Sequence, residues 1–147
     1  MFGYEPEGWR INRVENRAAL HSPAALERAK QTGQILEGRA VLCDSRHNLM
    51  VDLGCMQGMI PREEGALGIR EGTVRDIALL SRVNRPVCFT VTGFSGEGSN
   101  STALLSRRAA QEACWQNYLS HLVPGDVLDA RVTHLESFGA FADIGCG

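Results

Sequence analysis

The last 23 residues, GDVLDARVTHLESFGAFADIGCG from Gly125 to Gly147, restate without a gap the stretch QILEGRAVLCDSRHNLMVDLGCM that begins at Gln34, at an offset of 91. Val41 matches Val132, Asp52 matches Asp143, Gly54 matches Gly145 and Cys55 matches Cys146. Leu36 with Val127, Met50 with Phe141 and Leu53 with Ile144 are similar rather than identical, and the matches fall on a strand and the turn after it. Solenoid units recur at roughly 20–50 residues, so this longer period marks a duplicated domain. The second copy stops after two strands, whereas the first continues to Ser106. Roughly 50 residues of the second are then unaccounted for, and the chain is expected to be a fragment of a longer one.

At 147 residues, 44% apolar and 22% charged, the chain can bury one good core with appendages. No apolar run approaches the roughly 20 residues of a membrane span, and the start, MFGYEPEGWR, is acidic and aromatic rather than a basic flank ahead of an apolar core. A cytoplasmic protein with no membrane partner is therefore expected. The cysteines, Cys43, Cys55, Cys88, Cys114 and Cys146, are odd in number and form no C-x-x-C pair, which points to neither a disulfide framework nor a zinc ribbon. Cys43 and His47 have a loosely ligand-like spacing, but nothing nearby supplies two more ligands, so neither a metal nor a cofactor is expected.

The net charge of −2 is unevenly spread. Residues 1–32 carry +1, 33–76 carry −2, 77–110 carry +3 and 111–147 carry −4. The positive stretch consists of Arg82, Arg85, Arg107 and Arg108 against Glu97, and Lys30 is the only lysine in the chain. Guanidinium groups stack on bases and pair with phosphates in two-pronged fashion. If the four arginines share a face they form an anion-docking site; the plainer alternative is a solvated surface.

The pattern along the chain predicts a mainly β protein with helical appendages. Residues 1–32 form a lead-in whose clearest element is a short helix, with Ser22 as N-cap, Pro23 in the first turn and Gly33 ending it. Residues 33–107 read as strands. Ile35–Asp44 and Asn48–Leu53 form a hairpin, with Leu49, Val51 and Leu53 on one face and Asn48, Met50 and Asp52 on the other. Gly58–Ile60, Val87–Phe94 and Thr102–Ser106 complete five short strands, as expected of a Greek-key barrel. Residues 62–86 fit either helix or strand. Over 108–123, Cys114, Trp115, Tyr118, Leu119 and Leu122 recur at helical spacing, which predicts a linker helix whose aromatic stripe packs onto its own barrel. Pro124-Gly125 ends it, and residues 124–147 open the second, truncated barrel.

GDVLDARVTHLESFGAFADIG resembles the opening of the RNA-binding repeat named after the small-subunit ribosomal protein S-one. The first copy resembles it too, from Gln34 through Gly58-Met59-Ile60-Pro61 and Glu63-Glu64 to Leu105-Ser106-Arg107-Arg108. The resemblance implies a five-stranded oligonucleotide-binding (OB) barrel, and it implies a translation protein that binds single-stranded RNA (mRNA) and small-subunit ribosomal proteins. FGAF is the specific element. In a strand Phe138 and Phe141 would point to opposite faces, so a shared platform for stacking bases needs a bulge, for which Gly139 is the expected place. The first copy has His47, Asn48 and Met50 at the positions of Phe138, Gly139 and Phe141, and Pro61 where the family often has a histidine. Its stacking surface is dismantled, as in a repeat that docks on protein. The expected RNA contacts are thus Phe138, Phe141, Arg82, Arg85, Arg107 and Arg108, with His47 a weaker one.

Catalysis is not expected. GFSGEGSN joins two strands and lacks the helix N-terminus that phosphate loops use. Glu63-Glu64 has no nucleophile or histidine tied to it, and His21, His121 and His134 have no acid-base partner recognisable in sequence. Two other functions remain open: a protein-docking module with little RNA affinity, and the accessory RNA-binding part of a ribonuclease.

Overall fold

The computed structural model describes residues 4–96, 101–136 and 139–147, with the backbone alone for 134–136 and 139–141. Five strands, β1 (Leu36–Cys43), β2 (Leu49–Asp52), β3 (Gln57–Ile60), β4 (Pro86–Ser95) and β5 (Thr102–Ser106), close into a barrel in the order β1-β2-β3-β5-β4. Among the described residues, only β3 and β5 pair in parallel. This is the OB topology, as the five-strand pattern predicts. Closure rests on two long strands that each serve two neighbours. The first half of β1 pairs with β4 (Leu36 opposite Phe89) and its second half with β2 (Leu42 opposite Met50). A bulge between Ala40 and Leu42 bends it from one to the other, and β4 turns similarly between Val91 and Gly93.

Alternation decides what the barrel encloses. Leu36, Leu49, Val51, Ile60, Val87, Phe89 and Leu105 are fully buried, whereas Met50 and Asp52 face outward between the buried residues of β2. Burying a side chain such as Phe89 contributes about 1.5–3 kcal/mol. Gly58 lets β3 approach this core, since a Cβ there would sit 2.6 Å from Leu105 Cδ1.

The expected helix of the lead-in is α2 (Pro23–Thr32), with the Ala25 N–H donating to Ser22 Oγ at 3.1 Å and Gly33 at φ 70°. Before it lies α1 (Val14–Leu20), which sequence reasoning missed because no side chain caps it. It is held by Asn16. The Asn16 amide donates to Glu37 O (2.9 Å) and its carbonyl accepts from Glu37 N–H (2.7 Å), as a neighbouring strand would where β2 no longer covers β1. Glu37 in turn accepts from the N–H groups of Gly8 and Arg10. Residues 62–86, open to either reading, contain a 3-10 turn at Arg62–Glu64 and a short helix, α3 (Ile77–Leu80), and no strand before β4 begins at Pro86.

The linker helix, α4 (Arg107–Asn117), follows β5 directly, capped by Ser106 Oγ accepting from Ala109 N–H at 2.9 Å, and a 3-10 turn at Leu119–His121 continues it. Its buried stripe is Arg107, Ala110 and Cys114, extended by Tyr118, whose ring stacks on Tyr4 at 5.9 Å. Trp115 does not pack as expected and stays 56% exposed. It lies about 100° around the helix from Cys114 and off that stripe.

The final strands, β6 (Arg131–Glu136) and β7 (Gly139–Asp143), form an antiparallel hairpin. Its bulge lies in β6 at Thr133, between Val132 and His134, and not at Gly139. The first hairpin has its bulge at the matching place, Val41. Strand β7 follows β2 at the sequence offset, with Phe141 in the place of Met50, but β6 is displaced by one residue. Arg131 therefore corresponds to Arg39, and the second turn is one residue shorter than the gapless alignment implies.

Candidate nucleic-acid interface

OB barrels recognise oligonucleotides on the face of the second and third strands and with the loops after the first and fourth. In the first barrel that face is apolar at one end, where Leu42, Met50 and Met59 stand opposite one another in register, and polar at the other, with Arg39, Asp52 and Gln57. Val41 (44% exposed) and Leu42 (47%) give it an open hydrophobic rim.

The loop between β1 and β2 is organised by Asp44. Its carboxylate accepts from the N–H groups of Arg46 and Asn48, both at 2.9 Å, and from the Asn48 side chain at 3.1 Å. The Asn48 N–H bond, foremost, holds the Asp44 carboxyl below its ordinary value. His47 takes a left-handed backbone (φ 64°), and its Nδ1 lies 3.7 Å from Asp76 Oδ2. Arg62 Nε donates to both Asp76 oxygens at 2.9 Å, and these bonds keep Asp76 ionised below the usual range. His47, isolated in the sequence, thus stands beside an arginine-carboxylate pair. Sequence reasoning could not see this, because Arg62 and Asp76 meet only through the fold.

The four arginines do not form one face. Arg107 is buried and paired in two-pronged fashion with Glu7, both bonds at 2.8 Å, and its Nη1 donates to Gly65 O. Arg82 Nη2 lies 2.9 Å from the same carboxylate and donates to Pro86 O. Arg108 pairs with Glu71 and Glu112. Only Arg85 is open to solvent. The clustering expected from the local charge fails because Glu7, from the lead-in, draws Arg82 and Arg107 inward. Burial pushes the Glu7 carboxyl up, but Arg107, Arg82 and the Cys88 N–H at 2.8 Å outweigh it and hold it below its ordinary value.

Glu7 also joins the two copies. Its N–H donates to Asp143 Oδ2 at 2.7 Å, and Asp143 Oδ1 accepts from Gly145 and Gly147. Cys146 N–H donates to Glu5 O, and the Cys146 carbonyl receives Gln111 Nε2 and the Cys88 thiol. The end of the second hairpin is therefore embedded in the first domain, and Arg131 at its start lies beside Arg82 and Arg85. Phe141 occupies β7 opposite His134; Phe138 and the side chain of Phe141 lie outside the described residues. No helix among the described residues is long and apolar enough to cross a membrane.

No family model matches the chain, and no curated protein matches it. Among solved structures it is similar to the solution structure of GSP13 from Bacillus subtilis, with 21% identity over 65% of this chain and a TM-score of 0.43. The match spans 62% of the length of that protein.

Proposed function

We propose that the protein binds single-stranded RNA, as an S-one-type translation protein working at or near the small ribosomal subunit. The observation that supports this best is the second hairpin. It repeats the opening of an OB barrel down to the position of the bulge, and its β7 carries the aromatic residue Phe141 where the first barrel has Met50. On this reading, Phe138 and Phe141 stack on bases, which needs no particular sequence. The first barrel is the docking module. Its rim of Val41, Leu42, Met50 and Met59 suits contact with protein, and His47, beside Asp76, makes at most a minor RNA contact. No catalytic step belongs to this function.

The test is the affinity of the chain for a labelled single-stranded RNA, followed by fluorescence anisotropy. Phe138→Ala and Phe141→Ala should each weaken binding by about 1–3 kcal/mol and change stability much less. A buried phenylalanine would instead cost about 3–5 kcal/mol of folding stability on truncation. The proposal fails if both variants unfold the hairpin and neither changes affinity at matched folded fraction.

A further inference from the structure

Between the two copies lies a cleft of about 330 Å³, lined by Ser81, Arg82 and Arg85 from the segment after α3 and by Arg131, Val132 and Thr133 from β6. Three guanidinium groups and no carboxylate line it. The backbone fixes the first two. Arg85 N–H donates to Arg82 O at 3.0 Å, and Arg85 O accepts from Ala40 N–H at 3.0 Å, so this turn is pinned to β1. Arg82 is anchored from behind by Glu7, whose charge Arg107 already shares. Among the described residues, neither Arg85 nor Arg131 forms an ion pair. The buried Nε atoms of Arg82 and Arg131 lack a hydrogen-bond partner.

Like charges gathered at a partly buried place are unfavourable unless an anion joins them. Burial lowers the Arg82 pKa, and the charges of Arg107, Arg85 and Arg131 lower it further, against the pull of Glu7. Guanidinium forks match the oxygens of a phosphate better than any other common anion except carboxylate. The volume stands at the small end of ligand cavities, about 300–1,000 Å³, and admits a phosphate with little beyond its ester groups.

We propose that Arg82, Arg85 and Arg131 hold one phosphate group between the two copies. Resting on the RNA reading above, the group is a backbone phosphate of the strand that stacks on the second copy. Its contacts then fix how that strand crosses to the first barrel. Arg131 has no role in a single barrel considered alone; the site exists only where the two copies meet.

The experiment measures binding of a labelled twelve-nucleotide RNA at two salt concentrations, and melting temperature with and without inorganic phosphate, for the chain and for Arg85→Gln, Arg131→Gln and Arg131→Lys. Arg82 is left intact because it pairs with Glu7. Each glutamine variant should lose about tenfold in RNA affinity, with a salt slope shallower by about 0.7, and Arg131→Lys should fall between. Melting temperatures without phosphate should match the parent, which shows that folding is retained. If RNA binds all variants with equal affinity and slope, the cleft is overturned while the RNA reading stands. If RNA does not bind the parent but phosphate raises its melting temperature, and not that of Arg131→Gln, the cleft stands for a free phosphate and the RNA reading falls. If neither ligand acts, both are overturned.

Discussion

Glu7 and Arg107 stand 100 residues apart in the chain and form a two-pronged ion pair in the interior, both bonds at 2.8 Å. The pair fastens the lead-in to the start of α4, and through the Glu7 backbone it reaches Asp143 of the second hairpin. Removing one partner of a buried pair strands the other charge, at a cost of about 3–5 kcal/mol. Glu7→Gln should therefore lose about that much in urea denaturation. Arg107→Glu should not fold, because it buries two carboxylates together with the single guanidinium of Arg82 to share between them. A stable Arg107→Glu protein would show that the pair contributes nothing.

The same carboxyl sets an acid response. Its folded-state pKa is lowered, so its contribution is present above the unfolded value of about 4.3 and is lost as pH falls through the folded value. The stability gap between the parent and Glu7→Gln should stay constant from neutrality to about pH 5 and close below pH 4.3. Glu37 has the opposite sign: burial raises its pKa, so its contribution is full below the unfolded value and declines as pH rises through the folded one. Denaturation curves of Glu37→Gln against pH should show a gap that changes in that reverse sense.

Asn16 replaces a missing strand neighbour for Glu37, so Asn16→Ala leaves a buried N–H and a buried carbonyl unsatisfied. A loss of about 1–3 kcal/mol is expected. Chemical denaturation measures it, and an unchanged midpoint would mean that water takes over both bonds.

Hydrogen exchange should separate the docked from the undocked part of the second copy. Because Cys146 N–H is bonded to Glu5 and Gly145 is packed on Cys114, residues 143–147 should exchange slowly with the first barrel. Residues 126–136 should exchange faster, since a two-stranded hairpin is marginal alone. In Gly145→Ala, the added methyl would sit 2.6 Å from Cys114 Sγ, and protection at 143–147 should fall while the barrel keeps its own. Uniform protection in both proteins would contradict this packing.

In the first barrel, His47→Ala and Met50→Ala should leave RNA affinity within about twofold of the parent by anisotropy, because neither supplies an aromatic platform. A tenfold loss from either would move the RNA site to the first copy.

The periodicity of Leu49, Val51 and Leu53, the Ser22 cap, the glycine after α2 and the strand-rich run from Val87 are local signals, and they suffice to specify the strands, α2 and the barrel that the strands close. The internal similarity at an offset of 91 is likewise a property of the sequence alone. Alignment alone placed β6 one residue out, because its apolar and polar residues fit either register and only pairing with β7 decides between them. Which arginines meet solvent was decided by tertiary structure. Arg82, Arg85, Arg107 and Arg108 look alike as neighbours in sequence, but Glu7 lies far away in the chain and selects two of them by proximity in the fold. Arg131 joins Arg85 in the same way, across the boundary between the copies. Local pattern reports which face of a strand is apolar. Charge partners come from any distance along the chain, so burial and pairing of the ionic groups are settled only when the barrel, the lead-in and the second hairpin have come together.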